Sequence, residues 1–487
     1  MEKPTMEEVP KAGWKSKKRI YKAASRGDVK LVRKLQRLMR SSVAAKFLAV
    51  RRVTQDNRGK KTAGVDGVKS LNGKQRMELV EKLSLSIKPQ PVRRVWIPKP
   101  GKKEMRPLGI PVMQDRAAQA LLKLALEPEW EAYFEPNSYG FRPGRCTHDA
   151  TSAIFKGILV LPKFVLDADI MKCYDRINHK WLLDKLNLTG VMRQAIKGWL
   201  KAGVMEGKYL FPTEEGTPQG GVISPLLANI ALHGMENAIA KRWPNINNRP
   251  KIVRYADDLV AIHVSLPVVI ECVELIDEWL AEGGLQLHPD KTRIVHTLDE
   301  HDGQPPGFDF LGVNFRQFRM GKRHNKNKWG HKTIISPSKK SQKRHAHNLK
   351  EQIRKMRGVS QEALIDRLNP KIRGWCNYFK PFVSKDIFNR MDDQMYKRLW
   401  NWARRRHGNK GLRWIAAKYW RLEKDQWIFG AKDGPTLIKH KETPIKRFVK
   451  VKGIKSPFDG DWFYWAKRMG KDPRLPKRVA QLLKKLK

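Results

Sequence analysis

The sequence predicts an α+β fold, in which a small antiparallel sheet is combined with amphipathic helices. Two β-prone apolar runs flank the adjacent carboxylates Asp257 and Asp258, which is typical of a hairpin with acids at its turn. A further apolar strand, residues 164–170, also carries acids. Apolar residues recur every three to four positions near residues 29–39 and 387–402, which indicates amphipathic helices in both halves of the chain.

The composition and the net charge indicate which partners the chain binds. Its 487 residues exceed one compact core, and its 40% hydrophobic content suffices for more than one. Lys and Arg outnumber Asp and Glu by 99 to 48, which gives a formal charge of +51 and a self-repulsion that a polyanion would neutralise. Nucleic acid is the expected polyanion. An anionic membrane is disfavoured, because the cations run along the whole chain instead of forming one amphipathic segment.

The cysteines and the hydropathy exclude two classes of protein. The four cysteines are far apart and form no C-x-x-C pair, so neither a Cys-rich zinc module nor a disulfide framework is expected. No apolar run has the length of a membrane span, and the first residues lack the apolar core of a signal peptide. We therefore expect a soluble protein of a reducing, intracellular compartment.

The first third of the chain predicts basic helices followed by a hairpin. The apolar stripe within residues 14–52 consists of Val29, Val32, Leu35, Leu38 and Met39. Cations on the other faces form either a solvated surface or a phosphate-tracking surface, and the global charge favours the second. Residues 92–111 predict a hairpin with Lys99 and Arg106 on its two arms, where both could clamp a triphosphate.

The acid pair at residues 257–258 needs an explanation, because adjacent aspartates repel. A Mg²⁺ site with hard oxygen ligands is one interpretation, and an ordinary acidic turn is the other. Buried acids are costly unless they are paired or metal-bound, so strand 164–170 is the predicted source of a third carboxylate. Residues 217–227 predict a Gly-rich turn entering an apolar helix, where glycine permits close approach of another backbone such as a template strand.

The order of these segments resembles the palm motifs of a reverse transcriptase. The ordered series is the strand with Asp169, the turn at Gln219, the acid pair, residues 287–292 and residues 308–312. The amino-acid sequences of five further segments narrow the resemblance to one family, the group II intron reverse transcriptase/maturases. These segments are residues 106–111 (Arg-Pro-Leu-Gly-Ile-Pro), 138–144 (Ser-Tyr-Gly-Phe-Arg-Pro-Gly), 216–220 (Gly-Thr-Pro-Gln-Gly), 374–379 (Gly-Trp-Cys-Asn-Tyr-Phe) and 455–459 (Lys-Ser-Pro-Phe-Asp). The resemblance extends from about residue 20 to the end of the sequence.

The resemblance implies a right-hand polymerase with an antiparallel palm sheet. Residues 1–85 would form an N-terminal extension and the start of the fingers, and residues 86–335 the fingers and palm. Residues 336–410 would form an α-helical thumb or maturase domain, and residues 411–487 a small basic DNA-binding region. The implied activities are target-primed reverse transcription during retrohoming and assistance to intron splicing. The expected partners are group II intron RNA, target DNA, dNTPs and an RNA template/DNA primer duplex. The expected location is a bacterial cytoplasmic ribonucleoprotein, with an organellar origin left open.

The resemblance also implies roles for individual residues. Asp169, Asp257 and Asp258 would hold two Mg²⁺ ions, with the Ile170 backbone as an optional further ligand. Asp167 and Asp175 fit support roles, although Asp167 shares a strand with Asp169. The implied nucleotide ligands are Lys99, Arg106, Tyr174 (the gate against a 2′-hydroxyl), Gln219 and Lys291. The implied template and primer contacts are Gly220, Tyr255, Phe310, Leu311 and Gly312.

The last third of the chain predicts helices rich in cations and aromatic residues. One stripe, behind Ser384 as a predicted N-cap, consists of Ile387, Met391, Met395, Leu399 and Trp402. The basic residues expected to contact RNA or DNA are Arg33, Arg37, Arg398, Arg404, Arg405 and Arg406. Five tryptophans are expected either to stack on bases or, for most of them, to lie in a core: Trp414, Trp420, Trp427, Trp462 and Trp465. His345 and His347 are predicted to be surface residues and not metal ligands.

Three functional hypotheses stay open from the sequence. The main one is an RNA-directed DNA polymerase that is also a maturase. The second is a maturase that binds RNA without polymerising, against which the intact acids and triphosphate cations argue. The third is an intron-derived enzyme recruited to repair or spacer acquisition. Many relatives continue into a Cys/His-rich HNH endonuclease, and because this sequence contains no such cluster we expect no second-strand cleavage.

Overall fold

The structure, a computed structural model, confirms the mixed α+β class. It describes residues 8–99, 104–321, 330–423, 426–430, 433–470 and 477–485. The backbone packs as two units. Unit 1 contains the described residues of 1–153, 164–294 and 451–487, and unit 2 those of 154–163 and 295–450. The four predicted regions divide the chain by function and stay a prediction. The packing itself assigns residues 411–450 to unit 2 and the following residues to unit 1.

Unit 1 begins with short helices that pack around one long buried helix. These are α1 (Glu8–Ser25), α2 (Val29–Ser41), α3 (Val43–Arg51), a π-helical turn (Arg52–Asp56), a 3₁₀ turn (Arg58–Lys61), α4 (Gly73–Lys82) and the central α5 (Met113–Tyr133). The helical pattern breaks into separate elements because Asp28 caps α2 by accepting from the Leu31 amide at 2.9 Å. In the predicted stripe Val29 and Leu38 are 51% and 56% exposed, so that part of the prediction is wrong. The buried members are Val32, Leu35 and Met39.

Two sheets follow in unit 1. The first has the order β2-β1-β4-β5 and is formed by β1 (Val92–Pro98), β2 (Met105–Ile110), β4 (Val204–Glu206) and β5 (Tyr209–Phe211). Its β1–β2 hairpin confirms the predicted one. The second has the order β6-β7-β3-β8 and is formed by β3 (Phe164–Asp169), β6 (Lys251–Tyr255), β7 (Asp258–His263) and β8 (Arg293–His296), and the boundary of unit 1 falls within β8, after residue 294. Strand β7 pairs antiparallel with both β3 and β6, which confirms the hairpin around the acid pair.

Helices connect and cover these strands. They are α6 (Thr147–Ile158), α7 (Cys173–Arg176), α8 (His179–Leu186), α9 (Gly190–Lys201), α10 (Ser224–Ala231), α11 (Met235–Arg242), α12 (Leu266–Ala281) and a 3₁₀ turn (Pro289–Lys291). Helix α12 packs on β7 and β3, so the second sheet is covered on that face. Near the C-terminus, α17 (Trp462–Met469) and α18 (Lys477–Lys485) also belong to unit 1.

Unit 2 combines a three-stranded antiparallel sheet with a helical bundle. The sheet, ordered β11-β10-β9, contains β9 (Phe308–Phe310), β10 (Val313–Arg319) and β11 (His331–Pro337). The remaining elements are α13 (Lys339–Lys355), α14 (Gln361–Phe379), α15 (Lys385–Arg406), α16 (Leu412–Tyr419), the hairpin β12 (Trp420–Glu423) and β13 (Gln426–Phe429), and a 3₁₀ turn (His440–Glu442). The predicted stripe on α15 is buried, as expected. Ser384 precedes that helix, but its hydroxyl donates back to the Phe379 and Phe382 carbonyls instead of capping α15.

The structure corrects two further predictions. His345 is buried with 8% exposure and stacks on Trp375 at a centroid distance of 4.4 Å, whereas His347 is exposed as predicted. The tryptophans were expected to be mostly in cores. Of the five, Trp414, Trp427 and Trp462 are at least 40% exposed. Trp420 and Trp465 are buried. Within the described residues, no helix is long and apolar enough to cross a bilayer.

Candidate active site

The acid pair lies at a tight turn between β6 and β7. Tyr255 and Asp258 are register partners that close the hairpin, with Ala256 and Asp257 between them. Ala256 has a φ of +58°, in the left-handed region that non-glycine residues rarely occupy. Such a conformation persists only where the surroundings impose it, and it is common at functional sites.

The sheet register brings the third acid to the same end. Asp169, the last residue of β3, is the register partner of Asp258 in β7. The following amide, that of Ile170, donates to the Asp257 carbonyl at 3.2 Å. The carbonyl of Asp169 accepts from the His288 amide at 2.8 Å. Two adjacent strands and one turn therefore position all three predicted acids at one edge of the sheet.

The charges at this edge are unevenly compensated. On β3, Asp169 pairs with the Lys291 ammonium, and Asp167 pairs with Arg293 at 2.8 Å. At the turn, partial burial raises the pKa of Asp257, and the nearby Asp169 raises it further. Burial, followed by repulsion from Asp257 and Asp169, raises the pKa of Asp258 to about 7. The turn thus carries negative charge that the protein does not fully neutralise.

These donors fit a hard divalent cation. Carboxylate and backbone carbonyl oxygens are the ligands that Mg²⁺ prefers, and excess negative charge at the turn favours its binding. In the part of the chain that the structure describes, no three His, Cys, Asp or Glu side chains are already gathered closely enough to hold a metal ion. The ion pair between Lys291 and Asp169 occupies one of the acids in this arrangement. Metal binding would therefore require the Lys291 ammonium to withdraw from Asp169.

One cavity of about 880 Å³ joins the acids to the predicted nucleotide ligands. Its lining includes Asp169 and Asp257, whereas Asp258 lies outside the lining. The five predicted ligands all line it: Lys99, Arg106, Tyr174, Gln219 and Lys291. The Lys99 ammonium pairs with Glu104 at 2.6 Å. Burial raises the pKa of the Tyr174 phenol, so this hydroxyl stays protonated at neutral pH.

The glycine-rich turn at residues 216–221 is held against the β1–β2 hairpin. Gly220 has a φ of +118°, and a Cβ added there would lie 2.8 Å from the Gly109 carbonyl oxygen. The Gly109 amide donates to the Gln219 carbonyl at 2.7 Å. Gly220 also lines a second cavity of unit 1, of about 670 Å³, whose cations are Lys17, Arg52 and Lys123. The turn therefore contributes Gln219 to one cavity and Gly220 to another.

Two residues beneath the acid turn escaped the sequence predictions. Arg254 is 3% exposed, and its guanidinium donates to the Ala256 carbonyl and to the Asn229 side chain, each at 3.2 Å. A Cβ added to Gly140 would lie 2.3 Å from the Ala256 nitrogen, so only glycine fits beneath the turn. A charged residue inside the apolar run of β6 was a signal for Arg254. No local pattern identified the partner of Gly140.

Three of the predicted template and primer contacts, residues 310–312, lie in unit 2, whereas Gly220 and Tyr255 lie in unit 1. Phe310 is 3% exposed and belongs to the core, whereas Leu311 and Gly312 line a cavity of about 680 Å³ together with Arg344 and Lys371. The Leu311 carbonyl accepts from the Tyr378 hydroxyl at 2.8 Å. The cavity thus offers two cations and aromatic rings beside a turn with positive φ. Direct primer contact through the buried Phe310 ring would require rearrangement.

The six basic residues predicted to bind nucleic acid fall into two groups. Three guanidiniums have structural partners within their own units. Arg33 pairs with Glu129 at 3.1 Å, Arg398 donates to the Ala346 carbonyl at 2.9 Å, and Arg406 donates to the Val359 carbonyl at 2.8 Å. The other three are exposed: Arg37, Arg404 and Arg405. Nucleic-acid contact stays a prediction for all six, and the exposed group needs no rearrangement to make it.

Three family profiles match successive parts of the chain. The profile described as reverse transcriptase (RNA-dependent DNA polymerase) matches residues 97–315 and therefore includes the three acids and the five predicted nucleotide ligands. The N-terminal domain of reverse transcriptase matches residues 6–83. The group II intron maturase-specific domain matches residues 342–420. Their order agrees with the order of the motifs described above.

Named relatives agree with these profiles. Protein YkfC of Escherichia coli (strain K12) is 33% identical over 322 residues, which cover 57% of this chain and 82% of that protein. Group II intron-encoded protein LtrA of Lactococcus lactis subsp. cremoris is 41% identical over 173 residues, which cover 33% of this chain and 28% of LtrA. Maturase-like protein 1 of Euglena gracilis is 29% identical over 310 residues, which cover 62% of each chain.

Proposed function

The chain belongs to the family of group II intron-encoded reverse transcriptases and maturases, and we propose that it copies RNA into DNA and assists the splicing of its host intron. The observation that carries the polymerase proposal is the shared cavity. Two of the three acids line it together with four cationic or polar side chains and one tyrosine that suit a nucleoside triphosphate. Binding of RNA alone would require none of these groups in one place.

We assign the following roles to the residues of this cavity and to the adjacent Asp258. Asp169, Asp257 and Asp258 would hold the metal ions. When bound, two Mg²⁺ ions would activate the primer 3′-hydroxyl and offset charge on the phosphoryl group during in-line displacement. Lys99 and Arg106 would contact the triphosphate with charge-assisted hydrogen bonds. For Lys99 this requires exchange of its pairing with Glu104 for the phosphate.

We propose that Lys291 and Asp169 exchange partners when the substrates bind in this cavity. Its ammonium neutralises Asp169 in the free protein and lines the nucleotide cavity. Arrival of a metal ion and a triphosphate would give Asp169 a new counter-charge and give Lys291 an anionic partner. Tyr174 and Gln219 would pack against the incoming nucleotide and the templating base, respectively. Template and primer contacts are proposed for Gly220, Tyr255, Leu311 and Gly312.

The maturase role rests on residues of unit 2 and on the net charge. The maturase-specific profile covers α13, α14 and α15, from which Arg404 and Arg405 project as exposed cations. The formal charge of +51 requires a large polyanion. Intron RNA, an RNA template/DNA primer duplex and target DNA are the proposed nucleic-acid partners, held in a ribonucleoprotein. Affinity for each of them should fall steeply with salt concentration.

Primer extension tests the polymerase proposal directly. The full chain is incubated with a poly(rA) template, an oligo(dT) primer, dTTP and Mg²⁺, and product length is measured. Extension is expected, and it should disappear when EDTA removes the metal. Retained RNA binding without extension under any divalent ion would instead support the alternative, a maturase that binds RNA without polymerising. The presence of Asp169, Asp257 and Asp258 argues against that alternative, because RNA binding alone does not need them.

A further inference from the structure

The C-terminal segment 451–470 is fixed to the first unit by a buried ion pair. The Arg468 guanidinium donates to both carboxylate oxygens of Asp149, at 2.6 and 2.7 Å, and the two side chains are 9% and 0% exposed. The same carboxylate accepts from the Val451 amide at 2.7 Å. The fully buried Asp149 carboxylate therefore binds this segment at two residues, Val451 and Arg468. Such a bidentate pair fixes orientation as well as distance.

Apolar contacts add to this attachment. Trp465 is 2% exposed, and a Cβ added to Gly144 would lie 2.5 Å from its ring. Phe458 is also 2% exposed and packs on Trp14 of α1 at a centroid distance of 5.5 Å. The Arg145 guanidinium donates to the Gly453 carbonyl at 3.2 Å. The loop of residues 137–145 is thus attached through Arg145 and through Gly144, which packs on Trp465 and whose carbonyl accepts from the Arg468 guanidinium at 3.4 Å. The ion pair with Asp149 attaches the segment to α6, and Phe458 attaches it to α1.

That loop, residues 137–145, continues to the underside of the acid turn. Near its C-terminal end, Gly144 packs against Trp465, and in its middle Gly140 packs against the Ala256 nitrogen. On the N-terminal side of Gly140 the loop pairs with β6: the Tyr139 amide donates to the Arg254 carbonyl at 2.9 Å, and the Arg254 amide donates to the Asn137 carbonyl at 3.0 Å. The segment and the acid turn thus contact one short loop at Gly144 and at Gly140, four residues apart.

We propose that Trp465 and Arg468 are positioning residues for nucleotidyl transfer, which act on Asp257 and Asp258 through loop 137–145. The inference rests on the proposed polymerase function and extends it to residues that the sequence assigned to a DNA-binding region. Protein interiors are closely packed, so a displacement of the loop at Gly144 is transmitted to Gly140 and to the acid turn that contacts Gly140. Catalytic groups lose much of their effect when they move by about 1 Å.

Hydrogen exchange on the free full-length protein tests the coupling without activity. The test variant is Trp465→Leu. The matched control is Trp462→Leu, because Trp462 lies on the same helix and is 42% exposed. Trp465→Leu is expected to accelerate exchange in peptides covering residues 137–145 and 251–258, whereas Trp462→Leu leaves them unchanged. Acceleration confined to residues 451–470 would overturn the proposal, because the segment would then have only a local structural role.

Primer extension on poly(rA)/oligo(dT) supplies the second measurement. Arg468→Met is expected to lower kcat for dTTP by about tenfold with little change in primer–template affinity, and Arg468→Lys to retain most of the activity. Unchanged kcat in both Trp465→Leu and Arg468→Met, with loss only of binding to a mixed-sequence duplex DNA, would assign the segment to DNA binding and sink the proposal. If the wild type fails to extend any primer, the polymerase proposal falls. The exchange measurement then still decides whether the coupling exists.

Discussion

Two polar clusters, one in each unit, contain partly buried aspartates that differ in how far the protein compensates their charge. In unit 2, the Asp392 carboxylate accepts from the His440 ring at 2.7 Å and from the His440 and Lys441 amides at 2.8 and 2.9 Å. His440 in turn contacts the His345 ring at 3.0 Å. In unit 1, Asp257 and Asp258 stand beside each other, and burial raises the pKa of both; repulsion from Asp169 adds to the shift of Asp257, and repulsion from Asp257 and Asp169 adds to that of Asp258.

The difference separates a scaffold from a binding site. A carboxylate whose oxygens are all engaged by the protein stabilises the fold and has little capacity for a ligand. Carboxylates held close together without sufficient counter-charge destabilise the fold, and a cation that binds there recovers the lost free energy. Both clusters are rich in acids and histidines or lysines, so composition alone does not distinguish them. Their hydrogen-bond partners do.

The largest expected effect breaks the unit 1 cluster. Asp257→Asn should reduce primer extension by about 10³-fold or more, because it removes one of the three proposed metal ligands. It should also raise the stability of the metal-free protein by on the order of 1 kcal/mol, because a repelling charge is lost. Thermal unfolding with and without Mg²⁺ checks this: Mg²⁺ should stabilise the wild type and have little effect on the variant. The exposed Asp290→Asn is the matched control. Concurrent loss of RNA binding would contradict the assignment, since it would make Asp257 structural.

The second largest effect is expected for a substitution that displaces the acid turn without changing its charge. Gly140→Ala places a Cβ 2.3 Å from the Ala256 nitrogen, so the backbone of the turn must move. We expect extension to fall by about 10²-fold, as for a misplacement of about 1 Å. Gly358→Ala is the control, because nothing lies within 4 Å of its added Cβ. Full activity of Gly140→Ala would show that the loop does not support the turn.

A smaller effect, on stability alone, breaks the unit 2 cluster. Asp392→Asn replaces one accepting oxygen by a donor that faces the His440 ring or a backbone amide. The expected loss in the free energy of unfolding is about 2 kcal/mol, because a partly buried donor loses its partner. Urea denaturation measures it, with the exposed neighbour Asp393→Asn as control. Primer extension below the unfolding midpoint should be unaffected. Stabilisation by Asp392→Asn would contradict the contrast between the clusters.

The same cluster predicts a pH dependence. Burial, followed by repulsion from His440, Arg398 and Lys371, lowers the pKa of His345 to about 3 from the ordinary 6.5. Between these values the unfolded chain binds a proton that the folded chain does not, so stability falls as pH falls from 6.5 towards 3. At pH 5 the loss relative to neutral pH is about 2 kcal/mol. Urea denaturation at both pH values should show a smaller difference for His345→Gln, and the same difference as wild type for the exposed His347→Gln. Equal pH dependence in all three proteins would refute the neutral buried histidine.

The smallest effect concerns substrate choice in the nucleotide cavity. Tyr174→Ala should relax discrimination between dTTP and UTP by about tenfold, because the ring no longer fills the space of a 2′-hydroxyl. Tyr174→Phe keeps the ring and should keep the discrimination. The ratio of kcat/KM for the two nucleotides on poly(rA)/oligo(dT) measures both variants. Unchanged selectivity in Tyr174→Ala would remove the gate assignment while leaving the roles of the acids intact.

The sequence alone determined the local elements and their order. Short β-prone apolar runs placed β6, β7 and β3, and the acids at their ends identified the candidate site from the sequence. Helical spacing placed the buried stripe of α15. These predictions succeeded because period and residue type are properties of a few neighbouring positions. Where the period left the buried face ambiguous, as at Val29 and Leu38, the prediction failed.

Only the tertiary structure decided which distant residues meet. His345 and His440 are 95 residues apart, and Asp149 and Arg468 are 319 apart, so nothing in either local pattern names the other partner. Gly140 belongs to a sequence motif that does not indicate its neighbour, and only the fold places it beneath the acid turn. A periodic pattern states that a side chain faces inward, but the packing of separate elements determines what it faces. The sequence therefore identified the acids of the candidate site, and the tertiary structure identified the residues that hold them in place.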